Sequence, residues 1–370
     1  MRVAQVNLQR DAGGAERHVF LLSQGLQRSG VQVVVCCHPD GWLKTTCEAA
    51  GLETRSVQTA NQLDLTAAWK LASRLRAFRP DVLHLHTPKD YLSGTVAARL
   101  LGRSKVVLTR HMLLPLKPMM KRVYSKSNAT ICLAEGIRER LAADGIDARL
   151  LHRVQPGIAL EEFDNARTQS LRNAIREAWG VSQDDVVIGC VSRLVEGKGH
   201  ADLLNAFRKL LSSAEDQPNS LPSFRVRLIV IGDGPLRPSL ESQAEALKLR
   251  EFVHFTGFCN DVPAELAGLD ALVLPSHSEL LPLSLLEGMA SSLPIIASRV
   301  GGIPEIVEHG VTGLLIEPRD IDSLANALSR AVNEAALRTR LGQAGCEQVH
   351  RSHSIEAMVN ATLVVYRSCA

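Results

Sequence analysis

Short apolar runs alternate along this chain with longer stretches in which apolar positions recur every three or four residues. In the first half the short runs fall at residues 3–8, 31–37, 82–86, 106–109 and 129–133. In the second half they fall at 186–192, 225–231, 252–255, 271–275, 294–298 and 313–316. Short, nearly continuous apolar runs of this kind predict strands of parallel sheets covered by helices on both faces. The stretches between them supply the helices. Val19, Leu22 and Leu26 share one helical face, and Gly30 follows as a C-terminal stop. Around Pro156 and Gly157 the pattern breaks, which predicts a domain boundary near residue 160. The fold class is therefore α/β, with two doubly wound domains in series over residues 1–160 and 161–350. A polar segment at 212–223 predicts a surface loop in the second domain.

Composition narrows the function. At 370 residues the chain exceeds a typical single core, and 45% hydrophobic with 22% charged residues is ordinary for a globular protein. A net charge of +3 is too small for a general nucleic-acid binder, so no nucleic-acid partner is expected. No window is long and apolar enough to span a membrane, and the alternating N-terminus reads as a first strand rather than a signal peptide. Eight scattered cysteines without a Cys-x-x-Cys pair predict buried free thiols in a reducing cytoplasm. His84 and His86 share one face of a strand, but no further ligand follows at metal-binding spacing, so no metal site is expected.

The chemistry-bearing residues gather after the predicted strands. Glu279 and Glu287, eight positions apart, flank a strand-to-helix junction: Glu279 in the loop and Glu287 about one turn into the helix. That is the crevice where open α/β sheets bind ligands. Arg193 and Lys198 lie in a glycine-softened loop after another strand, where forked and point-charge donors suit a diphosphate; a solvated basic loop is the alternative. Gly232-Asp-Gly-Pro235 reads as a ligand loop or a tight turn carrying proline into the first helical turn. Gly257 and Phe258 follow a strand, where backbone groups could pair with a nucleobase edge or simply end the strand. Gly13, Gly14 and Arg17 lie between the first strand and helix, a place for close backbone approach or a tight turn. His111 sits just past a strand, and Asp320 opens an amphipathic helix as a cap. No Gly-x-Gly-x-x-Gly fingerprint occurs at either domain's first strand, which counts against a nicotinamide or flavin enzyme.

Taken in order, these motifs resemble the retaining family-4 (group 1) glycosyltransferases of GT-B fold. The resemblance runs through Arg193…Lys198, Gly232–Pro235, Val253-x-Phe-x-Gly257, Glu279-x7-Glu287-Gly-Met-Ala, Pro294–Ser298, Gly301-Gly-Ile-Pro-Glu305 and Thr312-Gly-Leu-Leu, and more loosely through Gly13–Arg17 and His111. It implies two Rossmann-like domains facing across a cleft, with residues 351–370 forming a last helix that packs toward the first domain. It also implies sugar transfer from a nucleotide-diphosphate donor, with a UDP-sugar as co-substrate, no cofactor and no metal. Arg193 and Lys198 would bind the diphosphate, Glu287 the ribose, Glu279 a sugar hydroxyl, and the N–H groups of Leu283 and Ser284 the β-phosphate. Gly232, Gly257 and Phe258 would complete the donor site. His111 would face the transferring sugar, and Gly13, Gly14 and Arg17 the acceptor, a glycan or lipid-linked hydroxyl.

The family usually has glycine where this chain has Leu280, which implies an altered donor sugar or a displaced loop. Two other readings compete. One is a GT-B nucleotide-sugar epimerase, although no acid/base set for ring carbons is evident; the other is a nucleotide-sugar-binding protein with weak catalysis. The basic and apolar segment from Leu114 through Lys117, Lys121 and Arg122 to Lys126 reads as a partly solvated helix or as a contact with anionic lipid at the inner face of the membrane.

Overall fold

The computed structural model describes residues 1–11, 13–60, 64–111, 116–215 and 226–369. Leu114 and residues 216–223 of the expected surface loop lie outside that set, and residues 212–215 belong to the end of the helix His200–Glu215 rather than to a loop. The chain forms two compact units, Met1–Ile158 with His353–Ala370, and Ala159–Ser352.

The first unit holds β1 (Arg2–Asn7), β2 (Gln32–Cys37), β3 (Glu53–Ser56), β4 (Val82–Leu85), β5 (Lys105–Arg110), β6 (Ala129–Cys132) and β7 (Leu151–Arg153). They make one parallel sheet in the order β3-β2-β1-β4-β5-β6-β7. Central strands such as β4 are buried along their whole length, as their apolar sequence predicts. The edge strands β3 and β7 were not foreseen. Each pairs on one side only, and Glu-Thr-Arg-Ser and Leu-His-Arg carry no apolar run for periodicity to detect. The order reverses between β1 and β4, and a buried carboxylate fixes that point. Asp90 accepts hydrogen bonds from Leu8 N at the end of β1 (3.0 Å) and from Thr87 N (3.0 Å) and Oγ1 (2.6 Å), which caps the helix Pro88–Leu101.

The second unit holds β8 (Val186–Val191), β9 (Val226–Ile231), β10 (Val253–Gly257), β11 (Ala271–Leu274), β12 (Ile295–Ser298) and β13 (Gly313–Ile316). They form a parallel sheet in the order β10-β9-β8-β11-β12-β13, which reverses between β8 and β11. At its amino edge the fully buried Arg176 donates to the carbonyls of Gly268, Ser182, Gln183 and Asp185, and pairs with Asp270 at 2.6 Å. Asp270 also accepts from Arg172 and from Val187 N, so β8 and β11 are locked side by side where the sheet order turns. Burial of that guanidinium is tolerated because nearly all its donors are matched.

The helix Ile355–Ser368, capped by Ser354, returns to the first unit and lies against the helix Gly14–Arg28. A Cβ on Gly25 would come within 2.4 Å of Ile355 Cγ2 and 2.6 Å of Val359 Cγ2. Gly25→Leu is expected to destabilise the first unit by about 2 kcal/mol through overpacking, in spite of leucine's better helix propensity. Thermal unfolding would read this as a fall of several degrees, and an unchanged or higher midpoint would refute the packing.

Candidate functional site

In the second unit, the loops after β8 and β11 meet at the carboxyl ends of the two strands where the order reverses. Gly199 has φ +73°, and a Cβ there would sit 2.0 Å from Pro275 O, so only glycine lets the two loops touch. His277 N donates to Gly197 O at 2.8 Å, and the His277 ring meets Asp202 at 2.6 Å. Ser192 Oγ is 2.9 Å from His200 Nε2, bracing the loop against the start of its helix. On this platform Lys198 Nζ donates to Glu279 Oε1, which also accepts from Ser276 Oγ at 2.9 Å. The Glu279 side chain is 9% exposed and that of Lys198 is 25% exposed, so the pair is sheltered but reachable.

The loop after β12 supports Glu279 from behind. Gly301 has φ +54° and its Cα approaches so closely that a Cβ would overlap Glu279 O, while Gly302 N donates to Leu280 O at 2.6 Å. Leu280 is half-buried and does not need a left-handed backbone, so the side chain is accommodated without strain at that position. The helix Leu283–Ala290 follows at once, with Glu287 buried in it. Its first-turn N–H groups, on Leu283 and Ser284, lack partners inside the helix. Arg193 is exposed, and its guanidinium makes no hydrogen bond or ion pair among the described residues. Gly232 N donates to Gly257 O at 2.9 Å, joining the loops after β9 and β10, and Phe258 stands 63% exposed beside them. Pro235 falls in the turn, and the helix itself begins at Arg237 with Pro238 in its first turn. As expected, Asp320 caps the helix Ile321–Asn333, accepting from Ser323 N at 2.9 Å. A cavity of about 430 Å³ lies instead at the amino edge of this sheet, against Arg167, Arg172, Asp270 and Pro294, and contains none of the expected donor residues.

The first unit gathers chemistry at its own reversal point. Gly13 is extended and precedes the helix Gly14–Arg28, where Arg17 is half-buried and Glu16 accepts from Asn7 Nδ2 at 2.9 Å. His111 follows β5 directly and lies edge-on to His18, with ring centroids 5.2 Å apart; His86 is 5.8 Å from His18 and 5.9 Å from His111. Behind them runs a buried polar chain. Gln5 Oε1 can only accept, so His86 Nε2 carries the proton across 2.6 Å. Gln5 Nε2 donates to Tyr366 Oη at 3.1 Å, and Tyr366 Oη lies 2.6 Å from His84 Nδ1. The other ring nitrogen of His84, Nε2, is hydrogen-bonded to Thr109 Oγ1 at 2.6 Å. Burial holds the His18 ring down at about 4 and those of His84, His86 and His111 well below their ordinary value, so all four are neutral near pH 7. Sequence patterning had left out His18, Gln5, Thr109 and Tyr366. The one available signal was polar side chains, Gln5 and His84, at positions of otherwise apolar strands.

Residues 172–348 match the family model of the group 1 glycosyl transferases, and residues 12–162 match that of Glycosyltransferase Family 4. The chain belongs to the family-4 (group 1) glycosyltransferases. Among its relatives in that family, the alpha-D-kanosaminyltransferase of Streptomyces kanamyceticus is 27% identical over 65% of this chain, which spans 61% of that protein's length. The UDP-Gal:alpha-D-GlcNAc-diphosphoundecaprenol alpha-1,3-galactosyltransferase of Escherichia coli is 25% identical over 91% of this chain and 89% of its own. The fold is that of the Anabaena protein HepE, solved in complex with UDP-glucose, with a TM-score of 0.86, 21% identity, and coverage of 99% of this chain and 100% of that one. The two Rossmann-like units described above are thus those of the GT-B fold.

Buried neutral imidazoles tie the stability of both units to pH. His18, His200 and His353 are each lowered by burial to about 4 from 6.5. Between those values the unfolded chain binds more protons, so their contribution is complete above about pH 6.5 and is lost as pH falls toward 4. Each ring contributes a slope of up to about 1.4 kcal/mol per pH unit in that window. Calorimetry from pH 7.5 to 4.5 is expected to show midpoints falling steeply below 6.5, and a flat profile would contradict the burial.

Proposed function

We propose that this glycosyltransferase moves a sugar with retained anomeric configuration from a nucleotide-diphosphate donor, a UDP-sugar, to a glycan or lipid-linked hydroxyl, without a metal ion. The observation that carries the reading is the sheltered Lys198–Glu279 pair at the reversal point of the second sheet, together with the Arg193 guanidinium, which has no partner among the described residues, and the start of the helix Leu283–Ala290. A diphosphate arriving there takes Lys198 and Arg193 as counter-charges and the N–H groups of Leu283 and Ser284 as donors. Glu279, released from Lys198, is then free to accept from a sugar hydroxyl, and Glu287 accepts from the ribose. The anomeric C–O bond to the diphosphate breaks as the bond from the acceptor oxygen forms, and the acceptor's proton is released. Charge accumulates on the leaving diphosphate, where fixed cations and a helix N-terminus can do a metal ion's work. His111 is assigned to the transferring sugar, and Gly13, Gly14 and Arg17 to the acceptor, on the family resemblance. The donor base and lipid acceptor draw support from what HepE is solved with and from the acceptor named for the Escherichia coli relative.

A thermal-shift panel of UDP, GDP, ADP and their sugar conjugates tests the donor. UDP at 100 times its dissociation constant stabilises by about 2.7 kcal/mol, and a shift with GDP or ADP alone would overturn the uridine assignment. Arg193→Ala is expected to lower kcat by about 10²–10³-fold and to weaken UDP binding, as is Glu287→Ala for binding, whereas His111→Ala mainly lowers kcat. Full activity in Arg193→Ala, or loss of activity in EDTA, would reject the clamp or its metal independence respectively.

No described helix is long and apolar enough to cross a membrane. The helix Pro118–Ser125 instead presents exposed Met119 and Arg122 next to exposed Lys117 and Lys126. That face supports a cytoplasmic enzyme resting on anionic lipid, each base contributing about 1 kcal/mol. Binding to anionic vesicles is expected to fall with salt and with replacement of Lys117, Lys121 and Arg122 by glutamine; salt-insensitive binding, or none, would exclude it.

A further inference from the structure

The four clustered histidines of the first unit, His18, His84, His86 and His111, do not share one role. His84 is satisfied at both ring nitrogens, by Tyr366 and Thr109. The other three are not: Nδ1 of His18, Nδ1 of His86 and Nε2 of His111 are each buried without a hydrogen-bond partner among the described residues. One such orphan costs about 1–3 kcal/mol, and here three occur on neighbouring rings. These rings also converge, since one nitrogen from each lies within 4.8 Å of those of the other two. They come from three separate elements, the helix Gly14–Arg28 and the segments directly after β4 and β5.

We propose that His18, His86 and His111 form a three-imidazole site for one divalent cation of the zinc class, with a fourth position open to water or a ligand oxygen. Nitrogens around tetrahedral zinc, bonded at 2.0–2.1 Å, stand roughly 3.4 Å apart, so the rings need to close by at most about 1.4 Å, within reach of side-chain rotation. The support around His86 is what metal sites use. Its Nε2–H is fixed on Gln5 Oε1, Gln5 is held by Tyr366, and the lone pair is thereby directed to Nδ1. Burial keeps the rings in the neutral form that ligates. An all-imidazole set suits zinc, cobalt, nickel or copper and discriminates against magnesium and calcium, which prefer oxygen. The ion is not part of the transfer chemistry proposed above. It engages His111, the residue assigned to the sugar, so on that reading the bound ion slows transfer.

Full-length protein stripped by chelator and titrated with Co²⁺ decides the matter. The expected result is one Co²⁺ per chain with the intense visible absorption of a four-coordinate site, displaced by an equivalent of Zn²⁺ and not by Mg²⁺. His18→Gln and His86→Gln are expected to weaken binding at least 10-fold. His111→Gln, at the half-buried edge of the cluster where folding is least at risk, is expected to abolish the absorption band. UDP thermal shifts report on the second unit and remain in all three variants, so failure of the metal site and failure of the donor reading are distinguishable. No bound ion at 100 µM Co²⁺, or a band that persists in His111→Gln, would overturn the proposal.

Discussion

Everything placed at the carboxyl edge of the second sheet depends on loops coming closer than side chains normally permit. Backbone meets backbone at Gly199 against Pro275 and at Gly301 against Glu279, and in both places a Cβ would lie at or inside 2 Å of a carbonyl oxygen. The consequence is a rigid floor from which Lys198 and Glu279 project toward each other. Charged side chains on independent loops would lose this alignment to conformational entropy; on a floor held by main-chain contacts the ordering cost is met at folding. The Arg176–Asp270 lock at the opposite edge serves the same end, because it fixes β8 against β11 and so fixes the origin of both loops.

The two units solve the same topological problem with different materials. Each is a parallel sheet whose strand order reverses once, and each concentrates polar groups at that reversal. In the second unit the groups are charged, partly exposed and paired across loops. In the first they are neutral imidazoles and amides, buried and linked in a chain from Gln5 to Tyr366 on the last helix. Burial explains the contrast. A charged group under a sheet must be matched at every donor, as Arg176 is, whereas a neutral imidazole is held by one or two hydrogen bonds. The last helix therefore does more than cover apolar surface, since Tyr366 hydrogen-bonds both Gln5 and His84.

Much of this was legible in the sequence. The buried strands announced themselves as apolar runs because both their faces are covered, and the Glu279–Glu287 spacing located a loop and a helix start that the structure reproduces at Pro282 and Leu283. The edge strands β3 and β7 escaped because an edge needs no apolar run. The helical start of the segment at 212–215 escaped because polar residues at a helix end look like those of a loop. The histidine cluster escaped for a different reason: spacing arguments see ligands within a segment, while His18, His86 and His111 come from three, the first two 68 positions apart.

The sequence by itself determined the two α/β units, the family, and which residue types lie after which strands, because periodicity and local motifs are properties of neighbours along the chain. Only the tertiary structure decided which of those residues meet. It paired Lys198 with Glu279, left the Arg193 guanidinium and one buried nitrogen on each of three converging histidines without a partner among the described residues, and seated Leu280 without a left-handed backbone. The physical reason is that such contacts are set by strand order and by close loop packing, neither of which leaves a periodic trace in the chain.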